Sequence, residues 1–150
     1  MVDDRAVIER ARPPYLHPSV MMAVFVGGVL GTLARYGFET AVPWGGSDWP
    51  VATFGVNLVG AFALGILLEV LARRGPDVGA RRRIRLLVGT GFCGAFTTYS
   101  TFALETVLLT RDGRLTTAIA YAVSTVVLGA VAAWAGIVLG AALGEHGRSR

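Results

Sequence analysis

The sequence predicts an all-α integral membrane protein of four transmembrane helices with a break in the third. Two observations carry that class. Hydrophobic residues make up 53% of the chain against 16% charged, and the mean hydropathy is +0.58. The apolar residues also gather into four runs, at 20–42, 51–70, 86–109 and 115–143, and a bilayer core is crossed by about 20 helical residues rising about 1.5 Å each. The break follows from a third observation, a block of glycines and hydroxyls at 89–102 inside the third run. Connections between runs are short, so the expected organisation is one membrane domain, 20–143, between tails at 1–19 and 144–150.

The first run follows a tail holding Asp3, Asp4, Arg5, Glu9, Arg10 and Arg12, then Pro13, Pro14 and Pro18. No small-residue cleavage site follows it at a suitable distance, so this run reads as an uncleaved anchor and not a secretory signal. The single cysteine, Cys93, excludes an intrachain disulfide, and His17 and His146 stand apart in the flanks. Neither a side-chain metal cluster nor a nucleophile–histidine–carboxylate set can be assembled from these residues, and the chain is expected not to be an enzyme.

All 14 basic residues are arginine, and they are placed unevenly. The first tail, the second connection (Arg73, Arg74, Arg81, Arg82, Arg83, Arg85) and the last tail hold eleven, all on one side of a four-span chain; Arg111 and Arg114 are the two on the other. The positive-inside rule then puts both termini in the cytoplasm. The net charge of +4 thus reports topology, and no nucleic-acid partner is expected. Trp44 and Trp49, in the first external connection, suit an interfacial aromatic belt.

Small residues recur at spacings that let helix backbones approach: Gly27, Gly28 and Gly31, then Gly60 and Gly65, then Gly136, Gly140 and Gly144. Such faces pack on one another or on a second copy or partner; the sequence favours both.

Polar groups inside a membrane are costly and face a protein interior or a wet cavity. Asn57, with Thr53 one turn earlier, either hydrogen-bonds a neighbouring helix or forms one wall of a path. Arg35 either snorkels toward the headgroups or presents a fixed positive charge; Glu39, one turn on, offers an ion-pair partner and favours the structural reading. In the third run, Gly89, Gly91 and Gly94 precede five consecutive hydroxyl side chains, Thr97 to Thr101. A lone Ser or Thr can return its hydroxyl to the i−4 carbonyl, but a block this dense points hydroxyls round the whole helix. Backbone freed at membrane depth is tolerated where it is buried in protein or lines a cavity. Its carbonyls can coordinate cations, and half-helix N-termini attract anions. The block is therefore read as lining an ion path. Glu105, one turn later, is a hydrogen-bonded structural group, a gate or a proton relay; Tyr121, Ser124 and Thr125 make a second hydroxyl stripe.

These residues resemble the Fluc (CrcB) family of fluoride channels. The resemblance runs through Gly-Gly-Val-Leu-Gly-Thr-Leu-Ala-Arg-Tyr at 27–36, Thr-Phe-Gly-Val-Asn-Leu-Val-Gly-Ala-Phe at 53–62, Gly-Phe-Cys-Gly-Ala-Phe-Thr-Thr-Tyr-Ser-Thr-Phe at 91–102, and Tyr121 with Thr125. The stretch at 91–102 is its most specific part. The resemblance implies an antiparallel dimer with two pores, in the bacterial plasma (cell inner) membrane, passively exporting fluoride from the cytoplasm and so relieving its toxicity. It implies that Asn57 is the pore amide donor, that Thr53, Ser100, Thr101, Tyr121 and Thr125 supply hydroxyls along the track, and that Phe102 and Tyr99 are the pore aromatics. Carbonyls of Gly94 and Thr97 would hold a structural sodium ion on the dimer axis, with Arg35 and Glu105 as the family's vestibule or structural charges. The family usually has Phe where this chain has Tyr99, which keeps the ring edge and adds a phenol donor.

The chemistry is coherent: a dry fluoride pore must replace the ion's water donors, and hydroxyls, an amide and positive ring edges do so without a fixed cation that would hold the ion. One alternative is a small four-span proton-coupled cation or drug exporter, but such proteins use a carboxylate within the first span, where this chain has only Glu39 near the end. The other, a non-transporting assembly subunit, leaves the hydroxyl block without a purpose. The eleven-to-two arginine bias fixes one insertion orientation, so the expected partner in an antiparallel dimer is an oppositely oriented paralogue, giving a heterodimer.

Overall fold

A computed structural model describes residues 17–46 and 48–146. Most of the tail expected at 1–19, and the last residues of that expected at 144–150, lie outside them.

Every regular element among the described residues is helical: α1 (Pro18–Ala41), α2 (Val51–Arg73), α3 (Gly79–Ile84), a π-wound stretch (Arg85–Cys93), α4 (Gly94–Phe96), α5 (Tyr99–Arg111) and α6 (Leu115–His146). Three of them, α1, α2 and α6, are long and apolar enough to cross a membrane. At about 1.5 Å per residue even the 23-residue α2 spans about 35 Å. The chain from 79 to 111 is helical too, but in pieces. It is π-wound over nine residues, a geometry that concentrates at functional sites, and it is extended at Thr97 (φ −76°, ψ 155°) and Thr98 (φ −143°, ψ 121°). The break is therefore narrower than the block at 89–102, and Tyr99 to Phe102 form the first turn of α5.

Little dry core exists. Leu109, Ala118 and Tyr121 form a buried hub, with Trp44, Trp49, Phe54 and Phe102 packed round it. Glycine contacts supply much of the remaining helix packing. The only buried residues of α1 are Gly27 and Gly31, and a β-carbon on either would overlap a carbonyl of the broken segment, that of Leu87 or Phe92. Gly91 presses back on the Val24 carbonyl. On the other side, Gly65 meets the Ala133 carbonyl, Gly136 that of Phe62, and Gly140 the Ile66 carbonyl and the Glu69 side chain. The ladder of α6 thus packs within the chain, on α2. Gly28, Gly94 and Gly129 face open space, and large apolar side chains such as Phe25, Val126 and Trp134 are about two-thirds exposed, as suits a surface that meets lipid or a partner.

Candidate ion path

The break is held by one side chain from another helix. The Asn57 amide on α2 pairs with Thr98 as a strand neighbour would: the Thr98 N–H donates to Oδ1 at 2.8 Å, and Nδ2 donates to the Thr98 carbonyl at 3.1 Å. Thr98 is also the N-cap of α5, its Oγ1 accepting from the Thr101 N–H at 3.1 Å. The Thr98 hydroxyl donates to Thr101 Oγ1 at 3.0 Å and lies 3.3 Å from Ser100 Oγ. Thr97 returns its hydroxyl to the Cys93 carbonyl at 2.9 Å.

These diversions free two carbonyls. In an unbroken helix the Thr98 N–H would bond the Gly94 carbonyl, and the Thr101 N–H the Thr97 carbonyl. Both N–H groups are spent elsewhere, on Asn57 and on the Thr98 hydroxyl. The pair freed is the pair that the sequence resemblance implies for sodium. Oxygen donors suit a hard cation, and Gly94 has nothing within 4 Å of where its β-carbon would be, so these groups fit such an ion. The positive end of the α5 dipole meanwhile faces the break.

A second polar cluster lies behind it. Glu105 on α5 is buried, and each carboxylate oxygen accepts a hydrogen bond: Oε1 from the Thr53 hydroxyl and Oε2 from the Tyr121 hydroxyl, both at 2.7 Å. Thr53 and Tyr121 are almost wholly buried, at 1% and 0% exposure, so their hydroxyls serve this carboxylate inside the chain. Thr125 donates to the Tyr121 carbonyl at 2.6 Å, a back-bond within α6. Trp49 stands edge-on to both Tyr121 and Phe54, with ring centroids 5.6 Å apart in each case.

Two open grooves meet at the break. One, of about 280 Å³, is lined by Asn57, Thr97, Thr98, Tyr99, Phe102, Thr125 and Val126. The other, of about 480 Å³, runs past Asn57, Gly60, Gly89, Cys93, Gly94 and Thr97. Neither lining includes a charged side chain. Tyr99 is 82% exposed, its ring 6.0 Å from that of Phe102, which in turn lies 5.4 Å from Tyr121 and links groove to cluster. Ser100 is exposed and Thr101 half-buried at the start of α5. The amide hydrogen of Asn57 not given to Thr98, and the hydroxyls of Ser100, Thr101 and Tyr99, are donors beside the groove.

The structure thus brings Asn57, Thr97, Tyr99, Phe102 and Thr125 to one groove, and Thr53, Glu105 and Tyr121 to the cluster behind. Arg35 and Glu39 pair along α1 at 3.6 Å and line neither groove. Sequence reasoning passed over the central role of Thr98, the residue that Asn57 grips and that caps α5. The one signal that points to it is a threonine, an N-cap residue type, standing after the glycine block and before the apolar stretch of α5. It also assigned Trp49 to the interface alone, not to the Tyr121 contact.

Comparison with known proteins adds the family. The family model described as CrcB-like protein, Camphor Resistance (CrcB), matches residues 22–137. A protein of Leifsonia xyli named fluoride-specific ion channel FluC 2 is 51% identical, the match covering 88% of this chain and 90% of the relative. Cutibacterium acnes FluC 1, also named a fluoride-specific ion channel, is 44% identical over 78% of this chain and 82% of its own. The correspondingly named FluC of Stutzerimonas stutzeri is 41% identical over 78% of this chain and 93% of its own. On the extent of the family match and the identity of these relatives, the chain belongs to the CrcB family.

Proposed function

We propose that this chain is a subunit of a fluoride-selective channel that lets fluoride leave the cytoplasm passively; its relatives are named fluoride-specific ion channels. The observation that carries the reading is the donor set at the break: an amide, hydroxyls and two aromatic rings line or border the groove, with no cationic side chain in its wall. A bare fluoride ion needs donors in place of water, and it leaves such a site readily because no ammonium or guanidinium retains it. Phe102 and Tyr99 offer ring edges, the positive part of an aromatic quadrupole.

In this reading the broken segment 79–111 is the third of four spans, and the arginine-rich bend before it lies in the cytoplasm with both termini, at the plasma membrane of a bacterium. The open face at Gly94 receives an antiparallel partner. That partner is an oppositely biased paralogue, because the arginine asymmetry gives this chain one orientation. The Gly94 and Thr97 carbonyls hold a sodium ion, which would supply fixed positive charge among carbonyl dipoles at the contact between subunits. Within the Glu105 cluster, Thr53 and Tyr121 satisfy both oxygens, so Glu105 is not left facing the grooves at the break as an exporter's carboxylate would be.

The test is fluoride efflux from liposomes holding the purified protein, alone and with its paralogue, followed with a fluoride electrode. Fluoride should leave and chloride should stay. Absence of fluoride efflux in both preparations would sink the proposal, and efflux with this chain alone would remove the heterodimer from it.

A further inference from the structure

Where α2 ends, the chain turns into α3 through a bend unlike the rest of the molecule. Residues 73–85 hold six arginines and one carboxylate, Asp77. Arg81 braces the bend: its Nε donates to the Pro76 carbonyl at 3.0 Å, and Nη1 donates to the Arg74 carbonyl. Its guanidinium lies over Gly75, whose φ of +115° disfavours any side chain there. Arg85 clasps Asp77 through Nε at 2.9 Å and Nη2 at 2.7 Å. That guanidinium, helped by the charge of Arg82, holds the Asp77 carboxyl below its usual range.

The bend borders a recess of about 300 Å³ lined by apolar Leu68, Leu71 and Ala72 together with Arg81, Arg85 and Asp77. Leu68, Val78 and Ile84, in or beside the bend, are exposed apolar side chains, at 42%, 59% and 44%. Glu69 pairs with Arg73 from the preceding turn, and the other five arginines against Asp77 leave the bend cationic, so charge complementarity calls for an anion. A water-borne phosphate or a nucleic acid has no use for the apolar lining. An amphiphile with an anionic head and an alkyl tail uses both.

We propose that this recess binds an anionic phospholipid, its phosphate against Arg81, Arg85 and the adjacent Arg82, and an acyl chain along Leu68 and Ala72. Asp77 competes with the phosphate for Arg85. The proposal rests on the reading that this end of α2 lies at the bilayer surface, where juxtamembrane arginines attract anionic lipid.

Full-length protein is stripped of lipid in detergent, offered phosphatidylglycerol or phosphatidylcholine, and the retained lipid is counted by native mass spectrometry. Phosphatidylglycerol should be retained about tenfold over phosphatidylcholine, Arg82→Gln/Arg85→Gln should remove most of that preference, and Asp77→Asn should raise retention. Asp77→Asn keeps the test sound if the double variant fails to fold, since it removes the competing charge, leaves every arginine in place and keeps an oxygen for Arg85 to hold. Equal retention of the two lipids, or weaker retention by Asp77→Asn, would overturn the site. So would glycerol phosphate or a short RNA oligomer displacing the lipid at equal concentration. Fluoride efflux is measured separately, alone and with the paralogue: retention without efflux in either preparation sinks the channel reading and leaves this site standing, while efflux without retention sinks the site alone.

Discussion

The two halves of the broken segment solve opposite problems. From 85 to 93 its buried residues are Gly89, Gly91 and Cys93, and it meets α1 backbone to backbone through Gly27, Gly31 and Gly91. From 99 to 111 its buried residues are Glu105 and Leu109, and it meets α2 and α6 through hydroxyls that converge on a carboxylate. The first half gains its stability from close approach, where dispersion acts over short distances and no polar side chain is at stake. The second half carries chemistry, and each of its buried polar groups is answered by a donor or acceptor from another helix. The lesson is a division of labour: a dry, side-chain-free contact fixes the position of a segment whose other half is polar enough to handle an ion.

The contrast can be broken most severely at the dry half. Gly27→Val drives a branched side chain into the Leu87 carbonyl, a backbone atom that cannot step aside. Folded protein recovered by size-exclusion chromatography should fall to near zero, whereas Gly28→Val, in open space on the next residue, should be recovered at the wild-type level. Asn57→Ala comes next. It leaves the Thr98 N–H and carbonyl without partners, at about 1–3 kcal/mol each, and removes the groove's amide; fluoride efflux should drop to the background leak while some folded protein survives. Glu105→Leu strands the Thr53 and Tyr121 hydroxyls and should lower the melting temperature in detergent by several degrees, about 2 kcal/mol or more. Glu105→Gln, which keeps one oxygen and can turn an amide toward the other hydroxyl, should cost less than half as much. Tyr99→Phe is the mildest. The ring is 82% exposed within the chain, so stability should move by less than about 0.5 kcal/mol. A fall of efflux by more than tenfold on this change alone would show that the phenol is a working donor, and not merely a tolerated one.

The sequence made the scaffold readable and the wiring only in part. Long apolar runs announced α1, α2 and α6 because hydrophobic length is a one-dimensional property. Thr53 and Asn57 were legible as one polar face of α2, and they do serve one side of that helix, but their partners were not legible. Glu105 lies 52 residues from Thr53, and Thr98 lies 41 from Asn57; no periodicity encodes contacts at such separations. The partner of Asn57 is in addition a backbone group, which any residue type supplies, so composition gives no hint of it. The glycines were legible as packing residues, yet which of them pack within the chain and which face outward depends on helix rotation. Gly27 and Gly28 are neighbours in sequence and opposites in space.

The Asn57–Thr98 pairing also has a bearing on how the protein is built. In hydrocarbon, an unpaired N–H and carbonyl cost several kcal/mol, so a segment entering a bilayer before Asn57 is alongside does better as one continuous helix. Such a helix satisfies its own backbone, including the Gly94 and Thr97 carbonyls, and gives nothing to an ion. Only when the α2 amide arrives can the helix part at Thr97 and Thr98 without penalty. The Asn57 side chain is thus the latch of the break: it answers the Thr98 N–H and carbonyl that parting the helix exposes.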